Sequence, residues 1–115
     1  MFQKLRTIIY HVTDLDKAKQ WYTQITGIQP YFDEPFYVGF DINGYELGLD
    51  PSGEGTIGGN QSVAYWAVEN ISAVVEKLAA AGGNIVTGVH NVGGNIEVAV
   101  VNDPFGNAIG LIEGA

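Results

Sequence analysis

The chain has no cysteine, and among its 115 residues only five are basic against thirteen acidic. Without cysteine there can be no disulfide, thiolate metal site, iron–sulfur cluster or cysteine nucleophile. The formal net charge is −8, and four of the five basic residues (Lys4, Arg6, Lys17, Lys19) fall within the first nineteen positions, leaving only Lys77 beyond. A chain with no basic patch is a poor ligand for nucleic acid, because neutralised phosphate supplies most of that affinity. It is equally poor for anionic lipid. No apolar run approaches the roughly 20 residues of a membrane span. Residues Met1–Arg6 start no signal-peptide core, since His11 and Asp14 interrupt the apolar stretch. These absences predict a cytoplasmic protein with neither nucleic acid nor membrane as partner. Charged residues are scarce at 16% and hydrophobic ones make up 46%, which excludes wholesale disorder and suits one domain with a core.

What is present reads as a pattern used twice. Residues Arg6–Val12 alternate, with Ile8, Tyr10 and Val12 on one face and Thr7, Ile9 and His11 on the other. Asp14 is a suitable N-cap for a helix over Leu15–Ile25, whose stripe is Leu15, Ala18, Trp21, Tyr22 and Ile25, and Gly27 closes it. Phe36–Ile42 and Tyr45–Asp50 flank Asn43-Gly44, the strongest short hairpin signal. A Gly-, Ser- and Pro-rich stretch, 51–61, reads as a linker; its Gly58-Gly59 pair lacks the lysine and the strand–helix context of a phosphate loop. The order then returns: strand Ser62–Val68, a helix opening at Glu69-Asn70-Ile71 and closed by Gly82-Gly83, strands Asn84–Val86, Asn95–Asn102 and Ala108–Glu113, with a turn at Asp103–Asn107. His11–Leu15 aligns with Ala67–Ile71, and Asn43–Leu47 with Asn107–Leu111. The second spacing is the longer, so module two carries an insert around Val86–Gly94. The expected fold is therefore α+β: two tandem βαβββ modules, 1–50 and 62–115, forming one curled mixed sheet around a cleft with the helices outside.

The opening Ile8-Ile9-Tyr10-His11-Val12-Thr13-Asp14-Leu15-Asp16-Lys17-Ala18, with Trp21-Tyr22 and Gly27, resembles that of the vicinal oxygen chelate superfamily, and Asn102–Leu111 resembles its last hairpin. That superfamily includes glyoxalase I, bleomycin-resistance binding proteins, fosfomycin-modifying enzymes, methylmalonyl-CoA epimerase and extradiol dioxygenases. The resemblance implies paired modules around a cleft and a homodimer. It also implies four inward strand positions that hold a metal in the metalloenzymes, and these fall on Thr7, Glu46, Val63 and Gly110. Only Glu46 is a metal-ligand type, whereas a site needs three or four converging donors. The expectation is no metal and no cofactor.

Alternation defines the cleft wall. Val38, Phe40, Ile42, Tyr45, Leu47 and Leu49 share an apolar face that must pack on helices, while Tyr37, Gly39, Asp41, Glu46 and Gly48 share the other. From module two, Val63, Tyr65 and Ala67 point inward, with Gly110 and Ile112 completing the wall, and Trp21 and Trp66 belong to the core. The candidate ligand-binding residues are Thr7, Ile9, His11, Tyr37, Asp41, Glu46, Val63, Tyr65 and Gly110, with no Lys or Arg among them. His11 lies about 13 Å along its strand from Thr7, at a rise of about 3.3 Å per residue, too far to share a coordination sphere. Asp41 precedes the turn and has a plain role there. Glu46 sits mid-strand on a partly dry face, so it calls for a partner, a raised pKa or a ligand. His90 reads as a loop residue.

Three readings follow. One is a metal-free binding protein resembling the bleomycin-resistance type, taking a neutral or cationic, partly aromatic small molecule through tyrosine faces and acid. The alternative is a glyoxalase-like lyase or isomerase with Glu46 as catalytic general base, although nothing obvious would stabilise an oxyanion. The third is a structural dimerisation module whose cleft is filled by its own side chains.

Overall fold

A computed structural model of the protein describes residues 1–51 and 63–114. The proposed linker falls outside the described residues from position 52 onward. The chain forms two compact units, Met1–Gly59 and Asn60–Ala115, and each repeats the order strand, helix, three strands. The βαβββ pattern is therefore present twice, as two four-stranded mixed sheets.

The first unit contains β1 (Thr7–His11), α1 (Leu15–Thr26), β2 (Phe32–Glu34), β3 (Tyr37–Ile42) and β4 (Tyr45–Asp50), in the sheet order β1-β4-β3-β2. The α1 helix begins where the Asp14 carboxylate accepts the Lys17 amide at 3.1 Å, and ends where Gly27, at φ 72°, turns its N–H back to the Thr23 carbonyl. β3 and β4 join through Asn43-Gly44, both at positive φ, as the tight twisted hairpin requires. Period-two alternation sends Tyr10, Val38, Phe40, Leu47 and Leu49 into the core, each no more than 7% exposed. Ala18, Trp21 and Tyr22 meet them from α1, and Tyr22 sets its ring 6.0 Å from that of Tyr10. Burying each large side chain contributes roughly 1.5–3 kcal/mol. The apolar face is shorter than the alternation predicts. Ile42 is half-buried and Tyr45 is exposed, because these rungs flank the turn at the end of the sheet. The edge strand β2 was not foreseen: three exposed residues, two of them acids, are too few to show a period.

The second unit contains β5 (Ala64–Ala67), α2 (Ile71–Ala80), β6 (Asn84–Gly93), β7 (Ile96–Asn102) and β8 (Ala108–Glu113), in the order β5-β8-β7-β6. Its core is Ile71, Val75, Leu78, Ala99, Val101, Ile109 and Leu111. Trp66 is only half-buried rather than core, since β5 is an edge strand and α2 lies mainly over β6, β7 and β8. β6 extends through Gly93, so the segment around Val86–Gly94 is strand and His90, opposite Val98, is no loop residue. Register shifts at three points along β6 break the alternation that would have revealed it. The turn at Asp103–Asn107 closes on the buried Asp103, which accepts the amides of Phe105 at 2.9 Å and Asn107 at 2.7 Å. At the start of α2 the Glu113 carboxylate, from β8, accepts the amides of Asn70 at 3.0 Å and Ile71 at 2.8 Å. Among the described residues no helix is long and apolar enough to cross a membrane.

Candidate functional site

The face of the first sheet opposite α1 carries the polar side chains. β1 runs parallel to β4 with Thr7 opposite Glu46, and β3 runs antiparallel to β4 with Asp41 opposite Glu46 and Gly39 opposite Gly48. Paired residues share a face, so this register gathers Thr7, Gly39, Asp41, Glu46 and Gly48 around one carboxylate.

Both oxygens of that carboxylate are engaged. Oε1 accepts the Thr7 hydroxyl at 2.8 Å and Arg6 Nη1 at 3.2 Å, and Oε2 accepts the Tyr31 hydroxyl at 2.8 Å. The Tyr37 hydroxyl also hydrogen-bonds to Glu46. Two glycines make room for this. A Cβ on Gly39 would stand 2.6 Å from Glu46 Oε2, and one on Gly48 would run into the Tyr37 hydroxyl. The Tyr31 amide bonds the Gly39 carbonyl at 3.0 Å, which places its ring beside that of Tyr37 above Gly39. Phe32, opposite Gly39 on β2, sets its ring 6.0 Å from those of Phe36 and Tyr37. Aromatic surface thus borders the carboxylate on its β2 side.

The Glu46 side chain is 12% exposed and that of Arg6 is 71% exposed. Desolvation alone would raise the Glu46 pKa, but hydrogen bonds from Thr7, Tyr31 and Tyr37 and the Arg6 charge outweigh it and hold the carboxyl below its ordinary value. Tyr37 is pushed up to about 12, first by desolvation and then by the neighbouring Glu46 charge. Tyr31 is also raised, chiefly by its hydrogen bond to Glu46. The cluster is therefore an anion held by protonated phenols at neutral pH. A shallow open depression of about 260 Å³ lies over it, lined by Arg6, Tyr31, Asp41, Gly44, Tyr45 and Glu46.

The structure brings together Thr7, Tyr37 and Glu46 from the sequence-derived set. Asp41 borders the depression, with its Oδ1 accepting the Gly44 amide at 2.8 Å and so closing the turn. Ile9 is 47% exposed. His11, half-buried, pairs with Asp50 at the far end of β1. Val63 precedes β5, and Tyr65 pairs with Gly110, where a Cβ would meet the Tyr65 ring at 2.7 Å. These last three belong to the second unit. One expectation is corrected: the site does contain an arginine, Arg6. Of the three alternatives for Glu46, a partner, a raised pKa or a ligand, the structure shows partners, and they lower its pKa. Sequence reasoning also missed Tyr31 and Phe32. Arg6 stands at the start of the alternating stretch Arg6–Val12, but in the structure it precedes β1 by one residue and its side chain turns to Glu46; Tyr31 and Phe32 lie between the helix and the hairpin, where no alternation shows.

The resemblance implies a divalent cation at Thr7, Glu46, Val63 and Gly110, and the residues present do not fit one. Val63 and Gly110 carry no donor side chain. The Thr7 hydroxyl is turned to Glu46, whose oxygens are already taken by hydroxyl donors and a guanidinium. Among the described residues no three His, Cys, Asp or Glu side chains converge.

Residues 4–111 match the family described as the Glyoxalase/Bleomycin resistance protein/Dioxygenase superfamily. The chain is 30% identical over 108 residues to "Putative glyoxylase CFP32" of Mycobacterium bovis, covering 86% of this chain and 41% of the relative. It therefore spans about two fifths of the length of the curated relatives it matches. Among solved structures, it is similar to a glyoxalase-related enzyme from Fulvimarina pelagi, with a TM-score of 0.78, 18% identity, and coverage of 98% of this chain and 89% of that one. It is also similar to a lactoylglutathione lyase from Agrobacterium tumefaciens, with a TM-score of 0.76, 17% identity, and coverage of 96% and 93% respectively. At these identities the solved structures speak to the fold alone.

Proposed function

The chain belongs to the glyoxalase/bleomycin resistance protein/dioxygenase superfamily, and on that premise we propose that it is a small-molecule binding protein that captures a neutral or cationic, partly aromatic ligand without a resident metal. The observation that carries this reading is the Glu46 carboxylate, 12% exposed and fixed beside the rings of Tyr31 and Tyr37. A fixed, partly dry anion attracts a cation more strongly than a solvated one. Tyrosine faces beside it add stacking and cation–π contacts, and the net charge of −8 adds longer-range attraction. The two modules act in this reading as one domain joined by the linker 51–61, and the protein works as a homodimer, which sedimentation equilibrium checks.

The second reading, a glyoxalase-like lyase or isomerase using Glu46 as general base, draws on the names of the relatives. The geometry favours it less. A base needs a free lone pair and a pKa near the working pH, whereas Glu46 accepts hydroxyl donors on both oxygens and its pKa is lowered.

A thermal-shift panel of aromatic cations and anionic thioesters separates the two. A cation at a hundred times its Kd should stabilise the wild-type protein by about 2.7 kcal/mol, and Glu46→Gln should lose that gain while keeping the fold. A melting point raised only by anionic thioesters would contradict the binding reading.

A further inference from the structure

Arg6 is more than a neighbour of the site. It lies in the segment before β1, outside any strand or helix, and its side chain is 71% exposed. Among the described residues one nitrogen, Nη1, makes both of its side-chain hydrogen bonds, to Glu46 Oε1 at 3.2 Å and to Thr7 Oγ1 at 2.9 Å. A guanidinium that grips a carboxylate firmly uses two parallel N–H bonds at about 2.7–2.9 Å. This contact is single and long and its guanidinium side is in water, so it falls in the range of weakly held pairs, roughly 0.2–1 kcal/mol. The hydroxyl partners of Glu46, by contrast, come from Thr7 on β1, Tyr37 on β3 and Tyr31, which the Gly39 carbonyl anchors. Each of these hydroxyls bonds Glu46 directly and not through Arg6.

We propose that Arg6 is a tethered stand-in for the ligand's cationic group: it occupies the seat at Glu46 Oε1, and an aromatic amidinium or guanidinium binds by displacing it. This rests on the binding reading and deepens it. The seat is anionic on one side, with Glu46 and Asp41 opposite each other across β3 and β4. It is aromatic on the other, with Tyr31 59% exposed and Phe32 packed edge-on to Tyr37. A planar cation matches both surfaces, since it can hydrogen-bond in its plane to the carboxylate and offer its face to the rings. Arg6 already shows that a guanidinium reaches this oxygen. Self-occupancy weakens the apparent affinity, because the intrinsic affinity is scaled by the fraction of molecules whose seat is open.

Calorimetric titration with benzamidine tests this on the whole chain, using wild type, Arg6→Gln, Lys4→Gln and Glu46→Gln. Lys4, exposed and two residues before Arg6, loses the same charge without touching the seat. Arg6→Gln should tighten benzamidine roughly 1.5- to 5-fold, the range that matches an exposed ion pair, while Lys4→Gln changes affinity by less. Binding by Arg6→Gln alone would support the displacement more strongly still. If Arg6→Gln weakens binding, or Lys4→Gln tightens it equally, the displacement is wrong although the cation site stands. If no variant binds, or Glu46→Gln binds as well as wild type, the cation-binding reading fails and the inference falls with it.

Discussion

In the first unit the strand parallel to β1 carries Glu46 into a cluster of hydroxyls; in the second, the strand parallel to β5 carries Gly110 beneath the Tyr65 ring and sends Glu113 to the start of α2. The pairings Tyr10 with Leu49 and Trp66 with Leu111 set the two strands in register, so that Gly48 corresponds to Gly110 and Glu46 to Ala108. The same architecture therefore uses its carboxylates differently. Asp14 caps α1 from its own N-cap position. Asn70, in the left-handed region at φ 56°, makes a longer cap bond of 3.4 Å to Ala73, and Glu113 supplements it. Glu113 satisfies backbone amides that every helix start leaves open. Glu46 binds side-chain hydroxyls that other residues could have left to water. A carboxylate held only by side chains is the more informative of the two about function, because the fold does not require it.

Substitutions can sharpen or break this contrast. The largest expected effect is on the core of the first unit. Phe40→Ala, at a fully buried position, should cost about 3–5 kcal/mol in urea denaturation. A cost below about 1 kcal/mol would show that the face packed on α1 is not the core. Next comes the glycine pair. Gly110→Ala puts a methyl 2.7 Å from the Ala64 carbonyl as well as the Tyr65 ring, so backbone must move, at about 1–3 kcal/mol. Gly48→Ala meets first the end of the Tyr37 side chain, so it should cost less stability but displace Tyr37 and weaken cation binding. Equal stability losses would remove the distinction between the units.

Acid titration probes both carboxylates together. Each has a folded pKa below the ordinary 4.5. Each therefore contributes stability that is complete above 4.5 and lost as pH falls through its folded value. Glu46→Gln and Glu113→Gln should each flatten the acid limb of the melting profile, and only Glu46→Gln should alter ligand binding. The smallest effect is spectroscopic. Tyr37 is pushed up to about 12, so its phenolate should form late in an alkaline absorbance titration, and Tyr37→Phe should reduce that late step. The folded form keeps the proton more tightly, so this contribution is present below the unfolded value near 10 and fades above it.

Much of this was legible in the chain itself. Alternation placed Val38, Phe40, Leu47 and Leu49 opposite Glu46 and Gly48, and Asn43-Gly44 fixed the register of the hairpin that carries them. Asp14, Asn70 and Gly27 marked the helix ends. What escaped had weak or broken periods. β2 is three residues long, and β6 is interrupted by register shifts that hid a ten-residue strand holding His90. The turn sequences suggested aligning Glu46 with Gly110, which is two residues from the register the sheets adopt; the slip keeps the face and so leaves the pattern looking correct. The partners of Glu46 were only half visible. Thr7 follows from the strand, but Arg6 and Tyr31 come from irregular segments whose direction no periodicity encodes.

The most direct test of the central claim, that Glu46 is the anionic anchor of a ligand site, is the carboxyl ¹³C resonance of Glu46 followed during benzamidine titration at neutral pH. The expected result is a saturable shift at Glu46 while the Glu113 carboxyl stays fixed. A Glu46 resonance that holds still while benzamidine binds elsewhere would contradict it.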